Sequence, residues 1–280
     1  MTELLRCDFK RILKDKLFLV LCILAGVFAL ITPLLYALIF GSADLLTPED
    51  MELMEMMGLG MSSKTIFFSS FSLNNNFGLI LPILLTLILC KDFGHGTVRN
   101  KLISGHSRRS VFLSMFTVCC TFNFGIILVH ALLSLGVSLI FFPYSPEGFG
   151  GSEIGYFFAS IGIELLVFLF ISALVCLMCV LAKNAGLSVV LYAAVMFFFI
   201  LVASILQVGQ ITLSLTGDNE FLIKLIEHVQ KLNVFGYASL VGQGTEYTLK
   251  DALFYTLTPV FGTLGLGTLG LLVFGKKDIK

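Results

Sequence analysis

Two ionisable side chains in this sequence stand inside long apolar runs, where a charge is costly. His130 lies within the run 111–142, and Glu164 lies within the run 156–182. Counted along a helix from the expected outer ends of these runs, they lie ~18 Å and ~12 Å deep. A charged group in hydrocarbon costs at least ~2.5 kcal/mol, so each group needs a partner or water. Two interpretations remain open: a polar point on a substrate path or proton relay, and a structural pair or a simply protonated Glu164.

Other motifs that carry chemistry are weak in this chain. Segment 58–65 nearly spells a phosphate-binding loop, but Ser63 replaces the required glycine and no strand precedes the segment. The HExxH and GxSxG motifs do not occur. Cys176 and Cys179 have redox or metal spacing, but they lie in an apolar run and are interpreted as packing residues. We therefore expect no catalytic residue, no metal site and no cofactor bound by this chain.

Composition identifies the solvent of the chain. Its 280 residues are 57% hydrophobic and 13% charged, whereas soluble domains carry about 25% charged residues. A chain this apolar cannot cover its surface with polar groups, so lipid must surround much of it. The formal net charge is zero, and no nucleic-acid partner is expected.

Six apolar runs are long enough to cross a membrane, which takes ~20 residues of helix. They lie at about 17–40, 66–90, 111–142, 156–182, 187–208 and 252–275. The sequence therefore predicts an all-α integral membrane protein with six transmembrane helices. The short link after the fourth run predicts that spans four and five form an antiparallel hairpin.

The basic residues are distributed unevenly between the segments outside these runs. With six spans, fourteen of the eighteen Lys and Arg residues fall on one side, in the amino-terminal segment, two loops and the tail. The other side has Lys64, Lys224, Lys231 and Lys250. Basic residues mark the cytoplasmic side, so both termini are predicted to be cytoplasmic. Segments 41–65 and 209–251 are then extracytoplasmic.

Three segments outside the spans show helical patterns. Residues 1–16 combine apolar residues at helical spacing with basic residues, which predicts an amphipathic helix on the inner leaflet; a mere basic flank of span one is the alternative. Segments 47–58 and 221–232 predict two extracytoplasmic helices, the first from its capping residues and the second from its apolar stripe.

The loop 91–110 is short, basic and interrupted by glycines. Its order of residue types is Asp92, Gly96, Thr97, Arg99, Leu102, Gly105, Ser107 and Arg108. This pattern predicts a short surface helix that is broken at Gly105, with Ser107 capping the next helix. A plain basic loop would explain the charge but not this order.

That order resembles the loop after the second span in permeases of the type-2 ABC exporter superfamily. Those permeases carry an acidic residue, Gly-Thr, a basic residue, Leu, Gly or Pro, and Ser-Arg. Asp92 stands where Glu is more frequent, and its shorter side chain has less reach for any salt bridge made there. The amphipathic amino-terminal helix, the six spans, the helix between spans five and six and the short basic tail are similar too, so the resemblance covers the whole chain.

The resemblance implies an assembly in the plasma membrane of a bacterium. Such permeases work in pairs, with a second copy or a paralogue, and dock on two cytosolic ATPase subunits that bind ATP and Mg. The amino-terminal helix, including Phe9 and Ile12, and the loop 91–110 would form the cleft that grips the ATPase. Closure of the ATPases on ATP would then rearrange the path between the two permeases.

The cargo is expected to be hydrophobic or amphipathic, since the spans are rich in Phe and carry few fixed charges. We expect an amphipathic peptide, with Phe122 and Phe198 lining its path beside His130 and Glu164; lipid contact is the alternative for each Phe. A secondary transporter driven by ions is the alternative function and would need no ATPase. A membrane-embedded enzyme would need a catalytic constellation that the sequence does not contain.

Overall fold

The computed structural model describes residues 2–40, 62–73, 76–144, 151–182, 184–216, 220–242 and 247–276, and within these ranges the only regular secondary structure is helix. The helices are α1 (Thr2–Leu13), α2 (Lys16–Phe40), α3 (Ser63–Ser69), α4 (Asn76–Gly94), α5 (Thr97–Ile103), α6 (Arg108–Phe141), α7 (Gly151–Ala182), α8 (Ala185–Thr216), α9 (Glu220–Leu232), α10 (Val234–Gly242) and α11 (Leu249–Lys276).

Six of these helices, α2, α4, α6, α7, α8 and α11, are long and apolar enough to cross a membrane. This confirms the predicted all-α class and the count of six spans within the part of the chain that the structure describes. The protein is therefore a multi-pass membrane protein.

The second span differs from the single run 66–90 that the sequence predicts. The run is divided into α3 and α4, and only α4 is long enough to cross. The Ser70 hydroxyl donates to the Ile66 carbonyl (2.9 Å), a side-chain bond that competes with continuation of the helix. The amide of Ser63 donates to the Pro143 carbonyl (3.0 Å), which holds α3 beside the far end of α6.

Helix α7 lies at the centre of the bundle and packs against α4, α6, α8 and α11. In the most apolar stretch of each span, 67% of the residues are buried in α7 and 56% in α4. The corresponding share is 22% in α2 and in α11, and only 11% in α8. The single copy therefore leaves large apolar faces of α2, α8 and α11 for lipid or for a partner.

The two ends of the bundle have different structures. At one end, called the basic end below, α1 and α5 lie beside the last turn of α4 and the first turns of α6, and Arg108 of α6 contacts the last turn of α11. At the opposite end lie α3, α9 and α10. Helix α9 matches the helix predicted at 221–232, whereas α10 was not predicted and α8 continues to Thr216, beyond the expected end at residue 208. The helix predicted at 47–58 lies outside the described residues.

Candidate functional site

The basic end is built from short helices whose boundaries follow from local chemistry. Gly96, with φ 69°, takes a left-handed conformation that ends the turn after α4, and α5 begins at Thr97. Gly105, with φ 90°, also takes a left-handed conformation and prevents α5 from continuing into α6. The Ser107 hydroxyl then accepts the amide of Ser110 (3.2 Å) and caps α6. The predicted surface helix and its glycine break are therefore present.

Asp92, at the end of α4, is 3% exposed and lies against two basic residues. The Arg11 guanidinium, from α1, pairs with its Oδ1. Nζ of Lys101, from α5, lies 3.5 Å from its Oδ2. One carboxylate therefore connects the last turn of a span to both short helices of the basic end.

Asp8 of α1 makes the second half of this arrangement. Its Oδ1 lies 2.6 Å from Nζ of Lys101, and its Oδ2 accepts the hydroxyl of Ser114 in α6 (2.7 Å). Asp8 and Ser114 are 3% and 0% exposed. We call Asp8, Arg11, Asp92 and Lys101 the ion-pair cluster; it connects α1, α4 and α5 directly and α6 through Ser114.

The electrostatics of the ion-pair cluster follow from burial and balance. Two carboxylates face two cations, so the cluster carries no net charge. Burial lowers the pKa of Lys101, and the adjacent Asp8 opposes that change. Burial also lowers the pKa of Arg11, again opposed first by Asp8. Removing one member would leave an uncompensated buried charge, which is far costlier than losing the whole pair.

Two further polar contacts anchor the basic end. Nζ of Lys91, in α4, binds both oxygens of Asp15 (2.7 and 2.8 Å), which lies between α1 and α2. Nη1 of Arg108 donates to the carbonyls of Phe274 (3.2 Å) and Gly275 (3.1 Å) at the end of α11. Both carbonyls belong to the last turn of α11, so Arg108 binds the carboxyl end of that helix and joins it to the start of α6.

The apolar face of α1 is turned toward the spans. Ile12 is 1% exposed, and the ring of Phe9 lies 5.3 Å from the ring of Phe122 in α6. Phe18 of α2 packs on the same Phe122 at 4.8 Å. Phe9 and Ile12 therefore seat α1 on the bundle, so any contact that α1 makes with a partner would come from its opposite face.

The remaining residues of the expected coupling set lie on α5 and its flanks. Thr97 and Leu102 are half-buried, and Leu102 packs against the buried core. Arg99 is exposed. Arg99 of α5 therefore faces the surface, whereas Lys101 of the same helix is paired with the carboxylates of the ion-pair cluster.

His130 and Glu164 do not form a pair. His130 is buried beside α2, where its Nδ1 lies 2.9 Å from the Ala25 carbonyl and its ring lies 4.4 Å from that of Phe77. Glu164 is fully buried in α7, and neither of its carboxylate oxygens has a hydrogen-bond partner among the described residues. The hydroxyl of Tyr247 bonds Ser160, one turn before Glu164 (2.9 Å).

The two phenylalanines expected on a substrate path lie in different surroundings. Phe122 is buried between α1 and α2, whereas Phe198 is 62% exposed on α8. His130, Glu164, Phe122 and Phe198 thus belong to separate packing environments within one copy.

Sequence reasoning missed Asp8 and the pairing role of Lys101. A local signal was present, since Leu4, Asp8 and Ile12 recur every four residues and share the buried face of α1. A carboxylate on the apolar face of an amphipathic helix indicates a buried cation opposite it, because a buried charge needs a partner.

Among the described residues, no group of three or more His, Cys, Asp or Glu side chains is placed to hold a metal ion. The chain matches no protein-family model, and a search of curated proteins gives no match.

Proposed function

We propose that this chain is the membrane permease subunit of an ATP-driven exporter similar to the type-2 ABC exporters, with both termini in the cytoplasm of a bacterium. ATP and Mg would be bound by two copies of a separate ATPase. The observation that carries the proposal is the ion-pair cluster, which joins α1 and α5 into one surface outside the spans.

The outer side of that surface has the composition of a protein-binding site. Leu13 of α1 and Ile103 of α5 are 58% and 72% exposed, although neither lies in a candidate span. Exposed basic residues, Lys10 and Arg99 among them, stand beside these apolar side chains. Apolar residues rimmed by charge, outside the membrane, favour a protein partner.

The same contacts would transmit a push from the ATPase to the spans. Asp92 belongs to α4 and Ser114 to α6, so a displacement of α1 and α5 acts directly on two spans. Arg108 extends the connection from α6 to α11. Contiguous ion pairs and hydrogen bonds of this kind are the physical route by which coupling travels.

A transport path between two copies of the chain is consistent with the apolar face that α8 leaves exposed in a single copy. The most apolar stretch of α8 is only 11% buried, and Phe198 lies exposed on that helix. A second copy or a paralogue would supply the other wall. The apolar faces favour a hydrophobic or amphipathic cargo, and we propose a peptide.

The test is an affinity pull-down of the tagged full chain from its native membrane in mild detergent. Arg99→Glu reverses an exposed charge on α5 and leaves the ion-pair cluster intact. Lys250→Glu makes the same change at an exposed position of the opposite end and is the matched control. Arg108 is left unchanged because it holds the end of α11.

A P-loop ATPase should co-purify with the wild type and with Lys250→Glu, and its yield should fall severalfold or more with Arg99→Glu. Absence of any ATPase from the wild-type sample would defeat the exporter proposal. Equal ATPase yield from Arg99→Glu and the control would remove α5 from the docking surface.

An ion-coupled secondary transporter is the second candidate, and Glu164 is the observation that favours it. A fully buried carboxyl without a hydrogen-bond partner among the described residues is a group that a proton could neutralise during transport. Transport by the purified chain in liposomes, driven by an ion gradient without any ATPase, would select this alternative.

A further inference from the structure

A cavity of about 740 Å³ opens between the first turn of α6 and the last turns of α11, at the basic end of the bundle. Arg108, Arg109 and Lys276 are among its lining residues, and Thr268, Leu271 and Leu272 form much of its wall on α11. Its volume lies within the range of small-molecule sites, about 300–1,000 Å³. None of these lining residues belongs to the ion-pair cluster.

Among the described residues, the charged side chains that line the cavity are all basic. Arg108 donates to the carbonyls of Phe274 and Gly275 and so forms part of the frame. Arg109 and Lys276 are exposed, and neither has an ion-pair or hydrogen-bond partner within the described residues. No acidic side chain lines the cavity in the part of the chain that the structure describes. Two cations close to one opening favour a ligand with negative charge.

The wall of the cavity is apolar and belongs to a candidate span. Leu271 and Leu272 lie on α11, and the Leu272 side chain is 61% exposed. The basic residues stand at the ends of α6 and α11, two of the candidate spans, and the ends of a span are expected near the lipid headgroups. The cavity is thus charged at the level of lipid headgroups and apolar at the level of acyl chains.

We propose that this cavity binds an anionic phospholipid, with its phosphate between Arg109 and Lys276 and an acyl chain along Leu272. Basic pockets between spans at the membrane surface recognise acidic headgroups through this combination of charge and depth. A free phosphate ion would use the cations but not the apolar wall. The proposal concerns the chain by itself and does not depend on an ATPase partner.

The experiment is native mass spectrometry of the delipidated full chain, titrated with phosphatidylglycerol or with phosphatidylcholine of the same acyl composition. Arg109→Gln/Lys276→Gln removes both rim charges. The matched control is Lys10→Gln/Lys14→Gln, which removes two exposed charges from the same end but outside the cavity. Thr268→Trp places a bulky ring at the wall of the cavity and narrows it without changing its charge. Melting temperatures of the variants verify that each one folds.

Each basic side chain near an anionic headgroup contributes roughly fivefold in affinity, so the variant that lacks both rim charges should bind phosphatidylglycerol about twenty-five-fold more weakly. Thr268→Trp should also bind it more weakly, and the control should bind it like the wild type. Binding of phosphatidylcholine should not change when the two rim charges are removed. An equal loss in the control would mean diffuse charge attraction and would overturn the proposal. Displacement of phosphatidylglycerol by inorganic phosphate at similar concentration would also overturn it, since the site would then recognise a free anion.

Discussion

We predict that the ion-pair cluster holds α1 against α4, α5 and α6. Asp8→Ala leaves Lys101 with Asp92 at 3.5 Å as its remaining carboxylate among the described residues, and it deprives the buried Ser114 hydroxyl of its acceptor. Removing one partner of a buried ion pair costs about 3–5 kcal/mol. The nearby Asp92 places the expected cost at the lower end, ~3 kcal/mol.

This cost should appear as local opening of α1. The helix has 12 residues, and isolated helices of that length are marginal in water, so undocking α1 also unfolds it. A loss of ~3 kcal/mol corresponds to roughly a hundredfold faster amide exchange in residues 2–13. Hydrogen-exchange mass spectrometry of the full chain in nanodiscs measures it, with the core of α7 as internal reference.

Two variants make the test selective. Glu3→Gln removes an exposed carboxylate from the same helix and should change exchange by less than about fivefold. Asp8→Leu/Lys101→Met removes both partners, leaves Arg11 paired with Asp92, and should restore protection close to the wild type. A change of less than threefold for Asp8→Ala in α1 would contradict the predicted role of the ion-pair cluster. The same conclusion would follow if Asp8→Leu/Lys101→Met were as unprotected as Asp8→Ala.

Two further predictions concern stability, measured as melting temperature in detergent. Gly270→Ala would place its Cβ 2.6 Å from the buried Phe112 ring and should destabilise the protein by ~1–3 kcal/mol. The Cβ of Gly265→Ala meets nothing within 4 Å, so this variant should be more stable than the wild type by up to ~1 kcal/mol. Equal changes in melting temperature for the two variants would contradict this. Burial raises the pKa of Asp15, but the hydrogen bond from Lys91 and other contacts outweigh it, so the net pKa lies below 3.8. The stabilisation from ionised Asp15 is present above pH 3.8 and is lost as pH falls through its lower folded-state pKa. The melting temperature of Asp15→Asn should therefore fall less than that of the wild type on acidification. Parallel plots of melting temperature against pH for the two proteins would contradict this.

Sequence predicted most of the membrane-spanning architecture because the cause of each span is local. A continuous apolar run of sufficient length has no better place than lipid, whatever its neighbours are. The break between α3 and α4 escaped this argument, because it depends on a hydroxyl of Ser70 and on docking of Ser63 against residues about 80 positions away.

The basic end was predictable only in part. Gly96, Gly105 and Ser107 act on their own backbone, so the bounds of α5 and the start of α6 could be read from residue type. The partners of Asp8 and Asp92 lie on other helices, and pairing across helices is set by packing. The separation of His130 from Glu164 has the same origin, since the direction that each one faces depends on how α6 and α7 are rotated.

The span in sequence between Asp8 and Ser114 has a consequence for synthesis in the cell. These bonded residues are 106 positions apart, and translation at ~5–20 residues per second separates their emergence by about 5 to 20 s. During that interval α1 has been made but its partners have not, so its buried face lacks the contacts that hold it in the folded protein. Attachment of α1 is therefore a late event of biogenesis, completed only as the third span leaves the ribosome.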